Sequence, residues 1–150
     1  MSKFYELEGN QTRLRLSERK RTRYLYNREM ADKVIEVAPV GTRKYVPHEA
    51  IMQLVQQIVS EFHPQKVILF GSHAYGKPHT ASDVDLLVVM ETELTGAQQA
   101  VKVLHKIDLK FGVDLIVYTP QRLAQRLEWG DSFLKEIVAK GRVLYESPDA

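Results

Sequence analysis

The sequence predicts an α/β (α+β) protein: a mixed β-sheet of about four strands with helices packed on it. Short apolar runs at Lys66–Phe70, Val84–Met90 and Val113–Tyr118 have the length and β-branched content of strands. The stretches between them carry apolar residues at three-and-four spacing, the period of an amphipathic helix. Gly and Pro punctuate the joins, at His63-Pro64, Gly71, Gly76-Lys77-Pro78, Gly112 and Pro120. Strands that alternate with helices in this way cover the faces of one sheet.

The elements follow in order. Residues 1–45 read as a basic, partly helical N-terminal arm and residues 46–150 as the main domain. Residues 1–16 show no strong period and are expected to fray. Ser17 caps a predicted helix running to about Val37, with Glu18 in the first turn where the helix dipole favours it. Ala38-Pro39-Val40-Gly41-Thr42 is a break and the best candidate linker. Pro47 opens an amphipathic helix whose buried face is Ile51, Leu54, Val55, Ile58, Val59 and Phe62. The strand Lys66–Phe70 comes next, then a loop from Gly71 to Ser82, then the strand Val84–Met90. Thr95-Gly96 precedes a helix with Ala97, Ala100, Val101, Leu104 and Ile107 on its apolar side. Gly112 ends it and Val113–Tyr118 follows. Pro120 sits near the start of a helix bearing Leu123, Ala124 and Leu127; Phe133, Leu134, Ile137 and Val138 mark another; Arg142–Tyr145 is a last short strand.

Composition bounds the function. A chain of 150 residues with 44% hydrophobic and 27% charged residues can bury one ordinary core. Without cysteine there is neither a disulfide framework nor a thiolate zinc site. No run has transmembrane length and the N-terminus lacks an apolar signal core, so no membrane is expected and the location is read as cytoplasmic. Charge is uneven. Residues 1–45 hold eleven Lys and Arg against six Asp and Glu, a net of +5, whereas residues 46–150 carry a net of −3. Arg13, Arg15, Arg19, Lys20, Arg21, Arg23 and Arg28, with Tyr24 and Tyr26 among them, suit nucleic-acid phosphates and bases. A solvated helix or flexible arm and an arm that docks on a protein are the competing readings.

Chemistry concentrates in Leu69-Phe70-Gly71-Ser72-His73-Ala74-Tyr75-Gly76 and Ser82-Asp83-Val84-Asp85. Residues two apart on a strand share a face, so Asp83 and Asp85 project side by side next to the Gly-Ser turn. Carboxylates that close repel unless a cation lies between them, and hard oxygen ligands suit Mg²⁺. Gly71 permits a tight turn and a close ligand; Ser72 offers a hydroxyl and an amide to phosphate, and serves equally as a helix cap. Lys77 is a further candidate phosphate contact. Two metal ions call for a third carboxylate, and Asp114, near the start of Val113–Tyr118, supplies one if that strand lies beside Asp83 and Asp85. Asp114 is then also the group placed to activate an attacking hydroxyl. His73 and His79 read as polar surface groups rather than ligands, because a hard metal prefers oxygen. His48, His63 and His105 are assigned no chemistry, and Trp129 is expected to pack.

Gly71-Ser72, ten intervening residues, and Asp83-Val84-Asp85 resemble the signature of the DNA polymerase β-like nucleotidyltransferase superfamily, in its minimal branch. The likeness runs from about Pro47 to Tyr145. It implies the nucleotidyltransferase fold, with Gly71 and Ser72 as the phosphate-binding turn and Asp83, Asp85 and Asp114 as metal ligands and catalytic carboxylates. It further implies two Mg²⁺ ions, ATP as substrate, and AMP transfer to a tyrosine of a HEPN-type toxin, with this chain as the antitoxin. The short stretch after Asp114 favours an acceptor that brings its own binding surface. A small-molecule acceptor, with an oligomer completing the site, and a non-catalytic partner- or RNA-binding module are the alternatives.

Overall fold

The computed structural model describes residues 4–8, 11–15, 25–27, 37–38, 45–76, 78–79 and 82–149. The described residues form two sheets, the first from the arm, where β1 (Phe4–Glu8), β2 (Gln11–Arg15) and β3 (Leu25–Asn27) pair antiparallel in that order. This corrects two expectations. Residues 1–16, read as lacking a period, hold two strands. Tyr5 and Leu7 alternate with Glu6 and Glu8, Thr12 and Leu14 alternate with Arg13 and Arg15, and the register opposes Glu6 to Arg13. The helix expected from Ser17 to Val37 is replaced at Leu25–Asn27 by β3, where pairing with β2 overrides the local helical reading. The rest of that span, apart from Val37, lies outside the described residues, as does most of the proposed linker.

The second sheet has the order β6-β5-β4-β7, built from β4 (Lys66–Phe70), β5 (Val84–Val89), β6 (Val113–Tyr118) and β7 (Arg142–Glu146). The pairs β4–β5 and β4–β7 are antiparallel, and β5–β6 is parallel. The sheet is therefore mixed, as the sequence predicts. Among the described residues five helices accompany it: α1 (His48–Phe62), α2 (Ser72–Tyr75), α3 (Gly96–Lys106), α4 (Pro120–Glu128) and α5 (Ser132–Lys140). Among the described residues none is long and apolar enough to cross a membrane.

Alternation along the central strands sorts the core into two layers. Val67, Leu69, Val84, Leu86, Val88, Leu115 and Val117 pack with α1 and α3. Ile68, Phe70, Leu87 and Val89 pack on the other face with Leu134 and Ile137 of α5, flanked by Leu123 and Leu127 of α4. Both faces of β4 and β5 are covered, which is why these strands read as continuous apolar runs. The α1 face is the expected one, with Ile51, Leu54, Val55 and Ile58 buried. His63 ends the helix in the left-handed region, donating its N–H to the carbonyl of Val59. Helix α3 keeps Ala100, Leu104 and Ile107 of the expected face on the core but adds buried Gln99 and Val103 and leaves Ala97 exposed and Val101 52% exposed. Buried Gln99 is satisfied by the Thr92 hydroxyl, which donates to its Oε1 at 2.8 Å. Trp129 is another correction. It is 69% exposed at the end of α4, where the chain turns into α5 rather than folding the indole inward.

Capping fixes the helix ends that lie near the sheet. Thr95 and Gln98 form a reciprocal capping box on α3. Asp131 caps α5 through the Leu134 N–H and pairs with Arg126 of α4, joining the two helices. That Leu134 N–H, with Arg126 behind it, holds the Asp131 carboxyl below the usual range. Thr95→Ala is expected to cost about 1 kcal/mol through loss of the cap. Leu134→Ala, at a fully buried position, is expected to cost about 2–5 kcal/mol. Urea unfolding of both variants reads the difference.

Candidate active site

Register brings the sequence-predicted carboxylates together. Asp85, second residue of β5, is the Cα partner of Phe70 at the end of β4 and of Asp114 in β6. The strand expected to lie beside Asp83 and Asp85 does so. By alternation Asp85 and Asp114 share the sheet face of Phe70, the α4/α5 side. The same face carries Phe133 of α5, 54% exposed, with its ring edge-on to Phe70 at 5.8 Å.

Two glycines make room for the carboxylates. Gly71 has φ +70°, and a Cβ there would fall on Oδ2 of Asp85. The turn after β4 thus needs glycine for its backbone and again for the acid that lies against it. At Gly112 a Cβ would fall on Oδ1 of Asp83. Gly112 also accepts the Val84 N–H at 2.9 Å, tying the start of β5 to the entry of β6. The sequence reading took Gly112 only as a helix stop; nothing local in the sequence pairs it with an acid 29 positions earlier.

Gly71 starts the short helix α2, its carbonyl accepting the amides of Ala74 and Tyr75 at 3.0 and 3.1 Å. Ser72 is therefore the first helical residue, beside the end of β4, and Gly71 takes the N-cap position with no side-chain cap bond, which corrects the helix-cap reading of Ser72. Lys77 lies outside the described residues. His73, read as a surface group, is half-buried and spans two segments. The Val46 N–H donates to its Nε2 at 3.2 Å, which leaves Nδ1 to carry the proton and donate to the Asp83 carbonyl at 3.1 Å. The imidazole thereby clamps the backbone of Asp83 to the segment that enters α1. Buried Ser82 closes the loop before it, accepting the His79 N–H at 2.8 Å.

Electrostatics follow from this crowding. Burial pushes the Asp85 carboxyl above its ordinary range, and the charges of Asp114 and then Asp83 push it the same way. Three hard oxygen donors, two of which raise the cost of ionising Asp85, are a donor set suited to Mg²⁺. Among the described residues no three such side chains already stand at metal-ligand spacing. The donor chemistry fits the ion.

Comparison with known proteins identifies the family. A family model described as "Nucleotidyltransferase domain" matches residues 51–145. A protein of Methanocaldococcus jannaschii named "Putative protein adenylyltransferase" is 32% identical over 101 residues, 65% of this chain and 96% of the relative. A crystal structure described as "a putative nucleotidyltransferase" from Sulfolobus solfataricus aligns with TM-score 0.44 and 24% identity, over 63% of this chain and 75% of that one.

The raised Asp85 carboxyl gives a signed prediction. The fold holds this proton more tightly than the unfolded chain does. Its cost is therefore absent below the unfolded carboxylate pKa and grows as pH rises through the higher, folded value. Asp85→Asn should raise Tm at neutral pH, with the gain shrinking as pH falls through the carboxylate range. Thermal melts across pH check this; a variant that melts below the wild type at neutral pH would contradict it.

Proposed function

The chain belongs to the nucleotidyltransferase domain family, and from that premise we propose that it transfers a nucleoside monophosphate, AMP from ATP, to a hydroxyl of a partner protein. The observation that carries this reading is the in-register pair Asp85 and Asp114 beside the Gly71 turn, with Asp83 packed at the same edge. The name of the Methanocaldococcus jannaschii relative supports the choice of AMP and of a protein acceptor. A HEPN-type toxin as that partner, with this chain as its antitoxin, is the extension drawn from the superfamily resemblance.

In this proposal Gly71 and Ser72 hold the β- and γ-phosphates, the absent Cβ allowing close backbone approach. Asp83, Asp85 and Asp114 are the residues that would hold Mg²⁺, which when bound supplies charge neutralisation on the phosphates and acidifies the attacking hydroxyl. Asp114 accepts the hydroxyl proton. The acceptor oxygen forms a bond to the α-phosphorus, the bond from that phosphorus to the β-bridging oxygen breaks, and pyrophosphate leaves. His73 keeps Asp83 in place by holding its carbonyl rather than its carboxylate.

Incubation with each α-labelled nucleoside triphosphate and Mg²⁺, alone and with the product of the neighbouring gene, tests the proposal on a denaturing gel. The expected result is label on the partner from ATP, reduced at least about 10²-fold by Asp83→Asn with Asp85→Asn. Absence of transfer from every triphosphate, with stable partner binding retained, would overturn catalysis in favour of a binding role. His73→Ala should lower the rate by about tenfold or more, and His73→Gln, which can both accept and donate, should recover most of it.

A further inference from the structure

A further feature lies on the far side of the sheet from the carboxylates. A cavity of about 640 Å³ opens on the α1 face, within the range of about 300–1,000 Å³ usual for small-molecule sites. Register separates it from the candidate active site. Leu69 of β4 pairs with Arg142 of β7, and by alternation Arg142 shares the α1 face with Leu69 and Leu144. Phe70, one residue on, points the other way, with Asp85 and Asp114.

The lining divides by chemistry. Val46, Ile51 and Leu69 give an apolar floor, with Pro78 and the exposed ring of Tyr45 at the rim. Arg142, His48, His73 and His79 add a guanidinium and three imidazoles, with no Asp or Glu among the described lining residues. Burial and the Arg142 charge hold the His48 imidazole below its ordinary range, and neighbouring Glu49 offsets this only in part. A guanidinium among imidazoles suits a phosphate group. The volume far exceeds a phosphate ion, and the apolar floor would stay unfilled by one. His73 is common to both sites, since the same ring that lines the cavity clamps Asp83.

We propose that this cavity binds a phosphorylated small molecule with a flat apolar body, of nucleoside-monophosphate size, its phosphate on Arg142 and its body on Val46, Ile51 and Leu69. The site is separate from the one that would hold the reacting triphosphate, and its occupancy does not depend on nucleotidyl transfer.

The test is imidazole ¹H–¹⁵N correlation spectroscopy on the full chain in EDTA, without any triphosphate. AMP, adenosine and inorganic phosphate are titrated separately. AMP should move the signals of His48, His73 and His79 while His63 and His105, outside the cavity, stay still. Adenosine or phosphate alone should bind at least tenfold more weakly, and Arg142→Ala should weaken AMP at least tenfold. His79→Glu, which sets a carboxylate in the lining, should do the same, and it serves if Arg142→Ala loses the dispersion of a folded spectrum. The proposal is overturned if AMP moves none of the three, or moves His73 alone, which would put it at the Gly71 turn. It is overturned equally if inorganic phosphate binds as well as AMP, or if the folded variants bind like the wild type. Because no transfer is read and no metal is present, failure here leaves the proposed transferase activity untouched, and failure of that activity leaves this result standing.

Discussion

The constraint on which the rest of the structure depends is the crowding of negative charge at the start of β5. Asp85 is partly withdrawn from water on a central strand, with Asp114 in register beside it and Asp83 two residues before it. Nothing in the packing of the sheet requires this, and Asp is disfavoured in strands. The fold carries the cost because Leu86, Leu87 and Val88 follow directly and are fully buried, anchoring β5 between β4 and β6. Crowding of this kind, held by a well-packed scaffold, is the cost that the proposed cation would relieve.

Positioning the acids falls to two glycines and a histidine. Gly71 and Gly112 each remove one Cβ from the path of a carboxylate. His73 fixes the Asp83 carbonyl from the opposite direction, linking it to Val46 at the entry of α1. The edge is thus supported from both faces of the sheet: α1 and the His73 clamp on one side, α5 and the Phe70–Phe133 contact on the other. Small changes in the loop from Gly71 to Asp83 should therefore be felt at the carboxylates without touching them.

Local pattern made much of this legible. The four strands of the second sheet, the helix after Pro47 and the adjacency of Asp114 to Asp85 follow from period, breakers and the placement of acids at strand starts. What escaped was non-local. The α3 face was misjudged because Gln99 counts as polar in sequence yet is buried against Thr92. Strand β3 of the arm escaped because its pairing partners 12–16 residues away, such as Thr12 for Tyr26, are invisible to a helical count of a basic segment. Gly112 and His73 were recognised as a turn and a surface group because their partners, Asp83 and Val46, come from other parts of the chain. A cavity made of α1, β4, β7 and the loop before Ser82 has no linear signature at all.

If relief of carboxylate repulsion by a divalent cation is what this edge is built for, stability should respond to that cation through these residues. The direct measurement is the melting temperature of the wild type, Asp85→Asn and Asp114→Asn with and without Mg²⁺. The account predicts that Mg²⁺ raises Tm of the wild type and that either substitution removes most of the rise. An unchanged wild-type Tm, or an equal rise in both variants, would contradict it.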